Sequence, residues 1–234
     1  MKKNVAPSCR ILAMEGLVDG ILGHVSVRLP ESNEMFIRCR SADECGVMFT
    51  KASDIRRVDF HGQSTDLNDE YKVPKEYPIH CEIYKARPDV QCVIHAHPPY
   101  VLICGIAGLG FRPIFGSYNI PAMRMALEGI PIFPRSLLVS RPELAVPLVE
   151  IIGQKHICLM KGHGITVTGT TVEEAPIRAL NFKILAQVTL QAALLGKQSA
   201  DIPLDDIAEL PDLGSTFNDQ WIWRYYEKKV GRAK

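Results

Sequence analysis

Residues 76–100 read EYPIHCEIYKARPDVQCVIHAHPPY, and this stretch joins a helix to a strand. The apolar spacing predicts a helix over residues 78–87, which Pro88 ends because its ring cannot continue the helical hydrogen bonding. An apolar run typical of a buried strand follows over residues 90–97. The strand therefore ends on two histidines, and two prolines come directly after it.

The two histidines of the strand are separated by one residue. Side chains two apart on a strand share a face, so His95 and His97 are expected to point the same way and can converge on one ion. The residues that would line the opposite face are Cys92, Ile94 and Ala96. An H-x-H pair alone is also common in proteins without a metal, so this pattern needs further support.

Two other residues extend the pair to a donor set. His163 lies between glycines in KGHGITVTG, where the backbone can turn sharply and aim the imidazole into a cleft; the alternative is an exposed histidine at a hairpin tip. Glu76 precedes the helix, where a carboxylate can also serve only the helix dipole. Three histidines and a carboxylate suit Zn²⁺, Mn²⁺ or Fe²⁺ and leave positions open for a substrate.

The length and the order of elements predict one domain over residues 1–234. Strands and helices mix without strict alternation, which favours an α/β fold with a mixed sheet. A first helix is expected over residues 8–19 with Ser8 as its N-cap, and a long helix after a capping box at Thr171. A less regular tail is expected from about residue 200. Its aromatic residues are predicted to pack on the body or on a neighbouring subunit, or to close an active site: Trp221, Trp223, Tyr225 and Tyr226.

Composition excludes several classes of function. Lys and Arg total 27 against 26 for Asp and Glu, so the net charge of +1 predicts no nucleic-acid or membrane partner. The seven cysteines contain no C-x-x-C pair, and no apolar run is long enough for a signal peptide or a membrane span. We therefore expect a cytoplasmic protein with reduced cysteines.

Four motifs in this order resemble the class II aldolase/adducin family: GHVSVR, residues 76–100, IPIFPRS and LMKGHGITVTGTTVEEA. The resemblance covers about residues 8–195. It implies a three-layer α/β/α sandwich around a mixed, mostly antiparallel sheet, and a homotetramer with sites near subunit interfaces. It also implies a divalent metal bound by His95, His97 and His163, with Glu76 as the catalytic acid or base and sometimes a ligand.

The chain departs from the sugar-phosphate aldolases of that family at the phosphate-binding elements. Their G-N-x-S motif reads Gly23-His24-Val25-Ser26 here, and CRSADECGVMFTKASD replaces their Ser-Gly element. Arginine binds a planar carboxylate through two parallel hydrogen bonds. The arginines and polar residues near these elements therefore favour a carboxylate over a phosphate as the group that they bind. The residues expected to bind the substrate are His24, Ser26, Arg28 and Arg135, although each could be only a strand or surface polar group.

This pattern resembles the branch of the family that decarboxylates hydroxy-substituted aromatic acids. The resemblance implies 3-hydroxy-2-methylpyridine-4,5-dicarboxylate as the substrate, in vitamin B6 degradation, with Mn²⁺ as the first choice of metal and Zn²⁺ as the second. An aldolase acting on a hydroxy-oxo acid or a sugar phosphate is the alternative, and a non-catalytic adducin-like module is a third reading. If Glu76 is a ligand, a bound water or His24 is expected to take over its role as proton donor.

Overall fold

A computed structural model describes residues 2–68, 70–196 and 199–232. Its strands are β1 (His24–Arg28), β2 (Glu34–Arg38), β3 (Ile55–Asp59), β4 (Cys92–Ala96), β5 (Ile132–Phe133), β6 (Ile157–Met160) and β7 (Gly164–Gly169). Its helices are α1 (Lys2–Met14), α2 (Tyr77–Ala86), α3 (Pro99–Ala107), α4 (Ile120–Glu128), α5 (Pro142–Ile152), α6 (Glu174–Leu194), α7 (Leu204–Glu209) and α8 (Ile222–Arg232).

The seven strands form one sheet in the order β3-β2-β1-β4-β7-β6-β5. Every neighbouring pair is antiparallel except β5 and β6, which run parallel. The predicted mixed, mostly antiparallel sheet is therefore confirmed. Because one sheet carries all of these strands, we keep a single domain over residues 1–234 as a proposal.

Helices cover both faces of the sheet and create two apolar cores. One core takes its helical residues from α1, α3, α4, α6 and α8, and the other takes them from α2 and α5. Burial of apolar area on both sides is the main favourable contribution to a fold of this kind. The predicted three-layer α/β/α arrangement is confirmed.

Successive side chains of the central strand β4 point alternately to the two cores, as the alternation of side chains along a strand predicts. All five of its residues are buried. Cys92, Ile94 and Ala96 face the larger core, whereas Val93 faces the core under α2 and α5. His95 alternates with them and therefore shares the face of Val93. The predicted division of this strand is confirmed.

Two predicted boundaries were wrong at the amino terminus, whereas α2 agrees to within a residue. The helix α1 begins at Lys2 and ends at Met14, instead of covering residues 8–19. Ser8 is buried inside it and donates its hydroxyl to the Asn4 carbonyl at 2.9 Å, one helical turn back, so it caps nothing.

The carboxyl-terminal region is more regular than expected. It contains α7, a π-helical turn over Thr216–Trp221 and the helix α8. Trp223 is buried against the larger core, while Trp221 and Tyr225 remain exposed. Apolar packing of α8 therefore supplies the order that the composition of this region did not suggest. Within the described segments, no helix combines the length and apolarity needed to cross a bilayer.

Candidate metal centre

Three imidazoles and one carboxylate converge at one end of the central strands. One donor atom from each of Glu76, His95, His97 and His163 lies within 4.8 Å of the others. The Nε2 atoms of His95 and His97 are 2.9 Å apart. Oε2 of Glu76 lies 3.1 Å from Nε2 of His95 and 3.5 Å from Nε2 of His163. All four residues predicted as metal ligands are thus brought together.

The backbone explains why the histidines meet. His95 is the fourth residue of β4, and His97 follows the strand with its N–H donated to the Leu17 carbonyl at 3.0 Å. His163 lies in the turn between β6 and β7. Next to it, Gly164 is required by close approach, because a Cβ there would lie 2.3 Å from the Ala96 carbonyl oxygen and 2.6 Å from the His97 ring.

Glu76 is fixed by a hydrogen bond on the side away from the histidines. It is the residue before α2, is 5% exposed, and accepts the Val139 N–H on Oε1 at 2.9 Å. Its second oxygen, Oε2, is thereby directed at the imidazoles. Burial would raise the pKa of Glu76, but its hydrogen bonds with His163 and His95 outweigh burial and hold the pKa below its usual value.

The spacing of these atoms fits a first-row divalent ion. Ligand nitrogens about 2.0–2.1 Å from one ion, at angles between octahedral and tetrahedral, are about 2.9–3.4 Å apart. The observed separations of 2.9 and 3.1 Å fall in that range, and the separation of 3.5 Å lies just above it. Burial, followed by the neighbouring histidines, lowers the pKa of His97 to about 3, so this imidazole is neutral and able to ligate.

The predicted substrate residue His24 lies beside the cluster. It pairs with His95 across the antiparallel strands β1 and β4, and the two rings have centroids 5.2 Å apart. Burial is the main reason that the pKa of His24 lies well below its usual value, so this side chain is neutral. Its Nδ1 lies 2.7 Å from Nε2 of His80, so Nε2 of His24 is the ring nitrogen that can meet a different partner.

Ser26, also predicted to bind the substrate, is fully buried and engaged elsewhere. Its hydroxyl lies 2.6 Å from Nδ1 of His80 and 2.7 Å from the Tyr84 hydroxyl. His80 and Tyr84 lie four residues apart on α2, which places both side chains on the helix face that covers β1 and fits a hydrogen-bonding role for His80.

The two predicted arginines occupy different environments. Arg28 donates to the carbonyls of Tyr84 and Arg87 at the carboxyl end of α2, and its guanidinium lies 4.9 Å from the Tyr84 ring centroid. The structure therefore does not bring Arg28 to the cluster. Arg135 is exposed in the loop between β5 and α5.

That loop is attached to the cluster at two points. Ser136 donates its hydroxyl to the Gly162 carbonyl at 3.0 Å, next to His163, and Val139 donates to Glu76. Arg135 therefore stands on a segment that borders the candidate centre.

The buried cysteines offer no competing nucleophile, since burial raises the pKa of Cys9 and Cys158 to about 12.

Known proteins resemble this chain over most of its length. The family model described as the Class II Aldolase and Adducin N-terminal domain matches residues 3–190. A 3,4-dihydroxyphthalate decarboxylase from Arthrobacter keyseri is 43% identical over 235 aligned positions, which cover 99% of this chain and 94% of that protein. A 3,4-dihydroxyphthalate decarboxylase from Terrabacter sp. (strain DBF63) is 40% identical, covering 97% and 95%.

Among solved structures, an L-fuculose 1-phosphate aldolase from Glaciozyma antarctica PI12 superposes with a TM-score of 0.80. It is 20% identical, and the match covers 99% of this chain and 90% of that one. At this identity the likeness concerns the fold.

Proposed function

The chain belongs to the class II aldolase and adducin family, and on that basis we propose that it is a divalent-metal-dependent decarboxylase of aromatic acids that carry a hydroxyl group next to the carboxylate. The observation that carries the proposal is the cluster of Glu76, His95, His97 and His163 in a chain 43% identical to a 3,4-dihydroxyphthalate decarboxylase. All four donors are present, which argues against a non-catalytic adducin-like module.

We propose 3,4-dihydroxyphthalate as the first substrate to test, and 3-hydroxy-2-methylpyridine-4,5-dicarboxylate of vitamin B6 degradation as the second. Both carry a ring hydroxyl, a neighbouring carboxylate and a further adjacent carboxylate in the same order. They differ at two positions. The phthalate has a second hydroxyl where the pyridine has a methyl group, and it has a ring carbon where the pyridine has its nitrogen. Near-full-length relatives named for the first compound favour it.

His95, His97, His163 and Glu76 would hold the metal ion, for which we propose Mn²⁺ first and Zn²⁺ second. When bound, such an ion supplies positive charge, which stabilises the electron pair that stays on the substrate when the carbon–carbon bond breaks. Both oxygens of Glu76 are engaged, one by Val139 and one by the imidazoles, which supports a ligand role over that of proton donor.

The reaction must replace CO₂ by a proton on the same ring carbon. Protonation of that carbon in the phenolate form gives a β-keto-acid-like ring; the bond to the carboxylate then breaks, CO₂ leaves, and the electron pair restores the aromatic phenolate. Neutral His24 can hold a substrate oxygen by a hydrogen bond but is too weak an acid to give up its proton. We therefore propose as the proton source a water molecule whose pKa a bound divalent ion would lower, and we propose that Arg135 meets the carboxylate that stays on the ring.

The family resemblance also leads us to propose a homotetramer with sites near subunit interfaces. The cytoplasmic location stays a prediction. Neither proposal affects the assignment of the cluster, because its four donors come from one chain.

The proposal is tested by measuring CO₂ release from 3,4-dihydroxyphthalate by purified protein that has been chelated and then reloaded with Mn²⁺ or Zn²⁺. We expect release only after reloading, with 3,4-dihydroxybenzoate as the other product. The pyridine dicarboxylate is assayed in parallel, together with an unphosphorylated hydroxy-oxo acid and a sugar phosphate. Aldol cleavage without CO₂ release from either aromatic acid, in protein shown to hold metal, would contradict the decarboxylase and support the aldolase alternative.

A further inference from the structure

A chain of three hydrogen bonds leads from the interior of the protein to the edge of the metal centre. It runs from the Tyr84 hydroxyl to Ser26 at 2.7 Å, from Ser26 to Nδ1 of His80 at 2.6 Å, and from Nε2 of His80 to Nδ1 of His24 at 2.7 Å. All four side chains are buried, with exposures of 2%, 0%, 0% and 3% in that order. This relay is not part of the ligand set.

The direction of the relay follows from counting donors and acceptors. If His24 donated from Nδ1, then His80 would donate to Ser26 and Ser26 to Tyr84, and the Tyr84 hydrogen would need another acceptor. Among the described residues, Ser26 is the single hydrogen-bond partner of that hydroxyl. In the opposite direction Tyr84 donates to Ser26, Ser26 to His80, and His80 to His24, so each of these three hydrogens has an acceptor. The hydrogen left over is then on Nε2 of His24, which is not one of the fully buried, unpartnered nitrogens among the described residues.

We propose that Tyr84, Ser26 and His80 are positioning residues that hold His24 in the tautomer with hydrogen on Nε2, so that His24 presents a hydrogen-bond donor to the substrate. The register of β1 and β4 places His24 directly beside His95, at the edge of the candidate centre. A donor there attracts an anionic carboxylate or phenolate oxygen. The other tautomer would turn a lone pair toward the same anion and repel it.

The role of His24 toward the substrate rests on the proposed function, whereas its tautomer does not. The tautomer can be read from the ¹⁵N resonances of the imidazoles in the Zn²⁺-loaded protein, with His24→Gln identifying the relevant signals. We expect a pyrrole-type Nε2 and a pyridine-type Nδ1 in His24. The Tyr84→Phe variant should shift both signals toward a mixture, because the hydroxyl that sets the direction is gone.

The activity measurement uses a matched control from the neighbouring strand. Ser26 and Thr168 flank Val93 on either side in register, and each hydroxyl bonds to a buried or partly buried histidine. We expect Ser26→Ala and Tyr84→Phe to lower kcat/KM for 3,4-dihydroxyphthalate about tenfold, mainly through KM, and Thr168→Val to leave it within about twofold.

A double-mutant cycle separates positioning from a general loss of structure. Glutamine at position 24 carries its own N–H donor, which does not depend on the relay. In the His24→Gln background, Tyr84→Phe should therefore cause little further loss, whereas a purely structural effect would cause the same loss in both backgrounds. Equal losses in both backgrounds, or a His24 Nδ1–H in the wild-type spectrum, would overturn the relay. The expected spectrum without any CO₂ release would overturn the substrate and leave the relay in place.

Discussion

Replacing Glu76 by glutamine tests the ligand assignment most directly. The carboxylate accepts the Val139 N–H with one oxygen and faces two imidazole Nε2 atoms with the other, at 3.1 and 3.5 Å. A carboxamide has one oxygen and one NH₂ group and cannot accept on both sides. If its oxygen keeps the Val139 bond, its NH₂ group points at the metal position, and if it flips, two N–H groups face each other.

The size of the effect follows from what each orientation loses. Changes to groups that only support a metal ligand typically lower affinity about 10–100-fold. Loss of a charged direct ligand should do at least as much, so we expect Kd for Mn²⁺ or Zn²⁺ to rise about 100-fold or more. The flipped orientation would leave the buried Val139 N–H unpaired, at about 1–3 kcal/mol.

The assay is metal titration of chelated protein, followed by metal analysis and CO₂ release at saturating metal. Glu82→Gln is the matched control, because Glu82 lies on the same helix and pairs with Lys85; it should bind metal as the wild type does. Normal metal affinity with lost activity in Glu76→Gln would refute the ligand reasoning and make Glu76 the proton donor. Full activity would refute both roles.

Three further results are expected. Gly164→Ala should destabilise the protein by about 1–3 kcal/mol in denaturant titrations and reduce bound metal. The reason is that the added Cβ would lie 2.3 Å from the Ala96 carbonyl oxygen. The control is Gly110→Ala, whose Cβ meets nothing within 4 Å and which should leave the stability unchanged. Arg135→Ala should raise KM for dicarboxylates but not for substrates with one carboxylate, with the exposed Arg141→Ala as control; equal effects on both substrates would contradict a contact with the second carboxylate. Burial, and then the neighbouring His95, lowers the pKa of His80 to about 3 in the folded protein, so on acidification the unfolded chain takes up this proton first. Stability should therefore fall as the pH drops from about 6.5 to about 3, by up to about 1.4 kcal/mol per pH unit for this group, and a stability that rises over that range would refute the assignment.

The strand that carries the H-x-H motif was predictable because its period of two is strict. Its faces were assigned correctly from the sequence. His163 and Glu76 were added to the pair because of a Gly-His-Gly turn and a helix start, and the resemblance then implied that all four act together. The start of α1 was missed because Ser8 matched an N-cap pattern, although its hydroxyl can equally bond one turn back within a helix. Local patterns of this kind do not distinguish the two uses.

The substrate residues were less predictable for a different reason. Ser26 and Arg28 were chosen by residue type, but the packing of α2 on β1 decides which groups they meet. Ser26 faces His80, and Arg28 reaches the carbonyls at the end of α2. The contact between Glu76 and the Val139 backbone has no side-chain signature at position 139, so no motif could have revealed it.

The position of β4 between β1 and β7 has a consequence for how the protein would acquire the proposed ion. The four donors come from segments far apart in the chain, and they meet only after several non-local strand pairings have formed. Folds dominated by such contacts form slowly. The complete site therefore forms only late in folding, and the proposed ion would bind after that. Its identity would then depend on the concentrations of competing ions as well as on the geometry of the site.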